Sequence, residues 1–140
     1  YAQLPELREE CGDRAVLRAM HFFADDERAE QEKEALKQGD FAQFLKLVHD
    51  SGRSSALLLQ NIFSVSNPTH QAVSFALALG EEILNGRGAI RVHGGGFAGT
   101  IQAFVPLDLL NVFQDRMESV LGEGKCHILH IRPMGGGVIL

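Results

Sequence analysis

Residues 94–99 read Gly94, Gly95, Gly96, Phe97, Ala98, Gly99, and Arg91 and His93 stand just before them. Glycine reaches positive φ at little cost and lets a ligand or a second backbone approach the main chain closely. Successive backbone N–H groups in such a loop can form a concave nest for an anion. The chemistry that suits these residues is therefore the holding of a phosphate or a similar oxyanion. The spacing Gly94-x-Gly96-x-x-Gly99 also matches the dinucleotide fingerprint, which requires a strand before it and a helix opening directly after it. Thr100, Ile101, Phe104 and Val105 instead have strand character, and Pro106 closes the run. The loop is thus expected to join two strands, residues 89–93 and 100–105. A hairpin with a bulged glycine turn and no ligand is the competing reading.

Other constellations are weaker. Six histidines invite a zinc site. His127 and His130, however, lie three apart on an expected strand and so face opposite sides. A third ligand could come only from His93, and neither cysteine stands at metal spacing. No metal ligand is assigned. Ser64, Ser66, His70 and Asp50 could be composed into a triad, but none sits in the glycine-flanked elbow that exposes a serine nucleophile. No catalytic residue is assigned to this chain. The acidic run over residues 25–34 reads as a solvated helix face whose Glu and Lys side chains support one another.

The elements that must carry the loop follow from capping and periodicity. Asp13 is placed as the cap of a long helix running to Gln38 and ended by Gly39. Asp40 caps a second helix, with Phe41, Phe44, Leu45 and Val48 on one face and a stop near Gly52. A short buried helix is expected over residues 57–63. Asn67 and Pro68 mark a further helix start, running through Ala72, Val73, Ala76, Leu77 and Ile83 to Asn85 and Gly86. After the two strands, residues 107–121 form a helix that buries Leu110, Phe113, Met117 and Val120. Residues 126–131 and 138–140 complete an expected strand pair. The resulting fold class is α+β, with helices packed on one face of a small, mainly antiparallel four-stranded sheet.

Composition sets the remaining bounds. The 140 residues make one domain, with 45% hydrophobic and 22% charged residues. The formal net charge is −5, and it sits early: residues 1–50 hold 12 acids and 7 bases. Without a basic patch, nucleic acid is not an expected partner. No apolar run approaches the roughly 20 residues of a membrane helix, so no membrane partner is expected. Cys11 and Cys126 are read as free thiols in a reducing, cytoplasmic setting. Because the chain opens at Tyr1 rather than Met, it is expected to be a piece of a longer protein.

Taken in order, several segments resemble the C-terminal domain of the GHMP sugar and metabolite kinases, most closely the galactokinases. The likeness spans nearly the whole chain. It includes Arg18, Ala19, Met20 and His21, then the charged helix with Glu27 and Arg28. Leu36-Lys37-Gln38-Gly39-Asp40-Phe41 is similar to the family's helix junction, and Val65-Ser66-Asn67-Pro68 to its serine-x-proline helix start. Residues 94–99 are similar to its third glycine-rich motif, and Gly136-Gly137-Val138 falls where galactokinases end.

The resemblance implies a ferredoxin-like fold and ATP-dependent, Mg²⁺-assisted phosphorylation of a small molecule, in galactokinases the anomeric hydroxyl of galactose. It implies an active site shared with an N-terminal domain of the same parent chain, which carries the phosphate loop and the catalytic aspartate. Residues 1–140 would then be a single domain, inactive alone and needing no cofactor by itself. Gly94, Gly95, Gly96, Phe97, Gly99 and His93 would border the nucleotide phosphates and the sugar. Four positions depart from the family pattern. His93 replaces a threonine, Ala98 breaks the second glycine pair, and Thr69 and Gln71 stand where acidic residues are usual. Those departures suggest an alternative, a non-catalytic domain on the same fold that senses a sugar or nucleotide.

Overall fold

Glycine and aspartate set most of the helix boundaries. In the computed structural model, which describes residues 2–97 and 99–131, α1 spans Leu4–Cys11 with Pro5 in its first turn. Gly12, at φ 79°, turns the chain into α2 (Asp13–Gln38). Asp13 is thus the first helical residue rather than the cap, and its carboxylate pairs with Arg8 of α1 at 2.6 Å. At the far end Gly39 adopts φ 72° and sends its N–H back to the carbonyls of Ala35 and Leu36. Asp40 then accepts the Gln43 N–H at 2.9 Å and opens α3 (Phe41–Ser54).

Gly52 does not stop α3. A β-carbon there would lie 3.0 Å from the Arg91 β-carbon and 3.3 Å from the Ile90 carbonyl oxygen, so glycine lets the helix pass close over a strand. The helix continues into a π turn (Ser55–Leu59) ending at Gln60, which is left-handed at φ 54°. The separate helix expected over residues 57–63 is therefore absent. Nor does a helix begin at Asn67. Its side-chain oxygen instead accepts from Thr69 Oγ1 at 3.3 Å and meets His70 Nδ1 at 3.0 Å, holding a turn. Helix α4 begins only at Ala72 and ends at Leu84, with Asn85 left-handed beyond it.

Strands β1 (Ala89–Val92) and β2 (Ile101–Phe104) pair antiparallel, with Ala89 opposite Phe104 and Val92 opposite Ile101. Helix α5 (Leu110–Leu121) follows. Successive strand residues face opposite sides, and both sides are covered. Towards α4 and α5, Ile90 packs with Ala76, Ile83, Leu84, Phe113 and Met117, and Ile101 and Ala103 lean on this core. Towards α3, Phe104 meets Phe44 edge to face, with ring centroids 5.1 Å apart.

This arrangement overturns the expected fold class. The chain is mostly helical, and among the described residues the sheet has two strands, not four, with helices on both faces. The ferredoxin-like expectation falls with it. Residues 126–131 form no strand. Ile128, Leu129 and Ile131 lie exposed, and the Cys126 N–H is bonded to Glu118 Oε1 on α5 at 3.0 Å. The strand expected at 138–140 and the glycines at 136–137 lie outside the described residues. No helix among the described residues is long and apolar enough to cross a membrane.

Candidate functional site

The two strands hand residues 94–99 to one end of the hairpin, as their β character requires. The His93 N–H donates to the Thr100 carbonyl at 3.0 Å, adding one rung beyond the ladder. The Gly99 N–H donates to the Gly96 carbonyl at 3.0 Å and closes the turn. Gly94, Gly96 and Gly99 have φ values of 59°, 84° and 84°, a region that ordinary side chains rarely occupy.

The loop has two unlike sides. Gly94 and Gly95 are exposed, and a β-carbon at either would meet nothing within 4 Å. Gly96 is buried, and a β-carbon there would lie 2.2 Å from the Asn61 carbonyl oxygen. The first pair therefore faces open space, while the third glycine lets the loop press on its support. His93 is exposed, and Phe97 is 62% exposed.

That support was not apparent from the sequence. The π turn and left-handed Gln60 deliver Asn61 beneath the loop, where Asn61 is only 3% exposed. Its Nδ2 donates to the Gly95 carbonyl at 3.4 Å, while its Oδ1 is buried without a hydrogen-bond partner. A polar Asn61 within a run of leucine, isoleucine and phenylalanine was the available signal.

Beside the loop lies a cleft of about 90 Å³, lined by Arg14, Gln60, Phe63, Ser64, Val65 and Phe97. Small-molecule pockets usually run to roughly 300–1,000 Å³. The cleft is thus too small to enclose a nucleotide or a sugar by itself.

Asp25 forms a second polar centre. Its Oδ1 accepts from Ser51 Oγ at 2.6 Å and from Arg28, and its Oδ2 lies 3.9 Å from Arg91 Nη2 and 3.7 Å from His21 Nε2. His21 Nδ1 meets Ser54 Oγ at 2.9 Å. Burial raises the Asp25 pKa, but the Ser51 and Arg28 hydrogen bonds and the Arg91 charge outweigh it and leave the carboxyl below its ordinary value. Burial holds the His21 imidazole below its usual pKa despite Asp25. This centre corrects the reading of residues 25–34 as a wholly solvated face. Arg91, adjacent to the loop in sequence, is turned into this network rather than towards Gly94 and Gly95.

Ser54, His21 and Asp25 do fall in a row. Yet 3.7 Å is too long for a hydrogen bond between His21 and Asp25. Ser54 is also not among the residues lining the loop-side cleft. The row joins α2 to α3. The serine triad composed from sequence is not brought together either. Ser64 bonds Ser66 at 2.8 Å, His70 bonds Asn67 and Thr69, and Asp50 pairs with Lys46 at 2.8 Å. Thr69 and Gln71 belong to the turn before α4, where Gln71 Nε2 donates to the Pro68 carbonyl at 3.0 Å. Among the described residues no three His, Cys, Asp or Glu side chains cluster closely enough to hold a metal.

No family model matches the chain, and no solved structure does. Over 97 residues the chain is 29% identical to a galactokinase of Mannheimia succiniciproducens. The alignment covers 67% of this chain and 23% of that protein. The chain is therefore similar to part of a galactokinase and spans less than a quarter of its length.

Proposed function

We propose that this chain is the C-terminal part of a galactokinase-like kinase of the GHMP type, and that it supplies a glycine-rich loop to a site completed by an N-terminal domain. The observation that carries this reading is the two-sided loop. Gly94 and Gly95 stand open to solvent, while Gly96 is pressed against Asn61, on a chain similar to part of a galactokinase. An open glycine backbone suits close approach by phosphate oxygens, and phosphoryl transfer depends mainly on positioning and charge stabilisation.

In this reading Gly94, Gly95, Gly96, Phe97 and Gly99 border the phosphates and the sugar, with His93 at the entrance. ATP supplies the phosphoryl group. Mg²⁺ would enter with the nucleotide and be held from the other domain. The small volume of the loop-side cleft agrees with half a site rather than a whole one. Sugar, ATP and the N-terminal domain are the proposed partners, and a cytoplasmic location accords with a sugar kinase.

The test is ADP formation by the natural full-length polypeptide, with MgATP and galactose, other small sugars, or no sugar. Sugar-dependent ADP formation supports the kinase. Absence of turnover with every sugar, together with absence of MgATP and galactose binding, rejects it.

A further inference from the structure

Asn61 is placed where an apolar side chain would pack with less difficulty. It is 3% exposed, follows a left-handed Gln60, and leaves Oδ1 buried without a partner. A leucine of similar size would carry no orphaned acceptor. What leucine could not do is donate a hydrogen bond to the Gly95 carbonyl, which Asn61 Nδ2 does at 3.4 Å. The same residue's backbone carbonyl is what excludes any side chain at position 96. Asn61 therefore holds the loop through two consecutive residues, one by hydrogen bond and one by close packing.

We propose that Asn61 is a positioning residue that latches the glycine loop and so sets where Gly94 and Gly95 stand relative to a phosphate-bearing ligand. This inference rests on the kinase reading for the identity of that ligand, but the latch itself does not. Both of these contacts are with the loop's main chain, and Asn61 acts through it. The π turn and the strained Gln60 are the devices that bring it there, as π turns inside helices often do at functional positions.

The experiment uses the full-length polypeptide, with Asn61→Leu and Asn61→Asp compared with wild type. Amide exchange at His93 and Gly99, whose N–H groups are bonded at the two ends of the loop, reads the latch without any nucleotide. Asn61→Leu is expected to speed it by about tenfold or more while the melting temperature is kept, because only the local opening becomes easier. Unchanged exchange overturns the proposal. The affinity for MgATP is the second readout, with an expected loss of about tenfold in Asn61→Leu, since small misplacement of a binding group is costly. Wild-type affinity in that variant also overturns it.

Asn61→Asp separates hydrogen bonding from packing. A carboxylate cannot donate to the Gly95 carbonyl, whereas its protonated form can. Binding by this variant should be weak near about pH 8 and recover towards about pH 5, where a buried carboxyl regains its proton. Wild type carried through the same series removes contributions from every other group. Absence of any recovery overturns the hydrogen-bond part of the latch. Fast exchange in Asn61→Leu, with no MgATP binding even by wild type, supports the latch and sinks the kinase reading.

Discussion

Ser51 Oγ donates to Asp25 Oδ1 at 2.6 Å, across 26 residues of sequence. That bond makes an internal joint of the acidic run in α2. Arg28 shares the same oxygen and Arg91 approaches the other, so α2, α3 and β1 meet at one carboxylate. Because β1 carries the glycine loop, the joint also fixes the frame from which the loop projects.

Asp25→Ala should destabilise the protein by about 1.5–3 kcal/mol, the range for hydrogen bonds to charged groups whose partners are left unpaired. Glu30→Ala removes an exposed carboxylate paired with Lys33, and should stay within about 0.5 kcal/mol of wild type. Urea denaturation of both variants decides the matter. Equal losses would return Asp25 to the solvated surface.

The same centre should make the fold acid-sensitive in two stages. His21 has a folded pKa below its ordinary value of about 6.5, so the unfolded chain takes up its proton first. Stability is then complete above about pH 6.5 and falls as pH drops towards the folded pKa. Asp25 has a folded pKa below the ordinary carboxylate value of about 3.9, so its contribution persists down to about pH 4 and is lost below. Glu32, raised by burial, acts with the opposite sign by keeping its proton longer in the folded state. Melting temperatures from about pH 4 to 8 should show the first decline, and His21→Gln should flatten it. An unaltered slope in that variant would assign the decline to another group.

Leu84 is 1% exposed in the core between the sheet and α5, and Leu84→Ala should cost about 2–5 kcal/mol. Val120, expected from helical spacing to be buried, is 52% exposed. Val120→Ala should therefore remain within about 0.5 kcal/mol of wild type. Thermal unfolding of the pair checks which face of α5 is covered.

Gly95 and Gly96 should part company when substituted. Gly95→Val meets no neighbour and should hold stability within about 0.5 kcal/mol, yet weaken MgATP or galactose binding by crowding the open side. Gly96→Ala forces a β-carbon against the Asn61 carbonyl at positive φ and should cost at least about 1–2 kcal/mol through the backbone alone. Calorimetry and melting curves on both variants separate the two effects. Wild-type ligand binding by Gly95→Val would leave residues 94–99 as a hairpin turn only.

Local chemistry was enough for much of this molecule. Gly39 and Asp40 mark the α2–α3 junction through a left-handed cap and a side-chain acceptor, and both act within a few residues of themselves. The two strands around residues 94–99 likewise follow from β-branched residues and Pro106, so the glycine loop and its hairpin setting are legible from composition alone. What depends on distant partners was not. Residues 126–131 are apolar enough to suggest a strand yet pair with none among the described residues, and Gly52 looks like a helix stop until β1 is seen beneath it. Asn61 is an ordinary polar residue until the π turn carries it under Gly95 and Gly96, and Asp25 is one carboxylate among many until Ser51 and Arg91 arrive. Caps and turns are paid for locally, whereas burial and long-range hydrogen bonds exist only once remote segments are packed together.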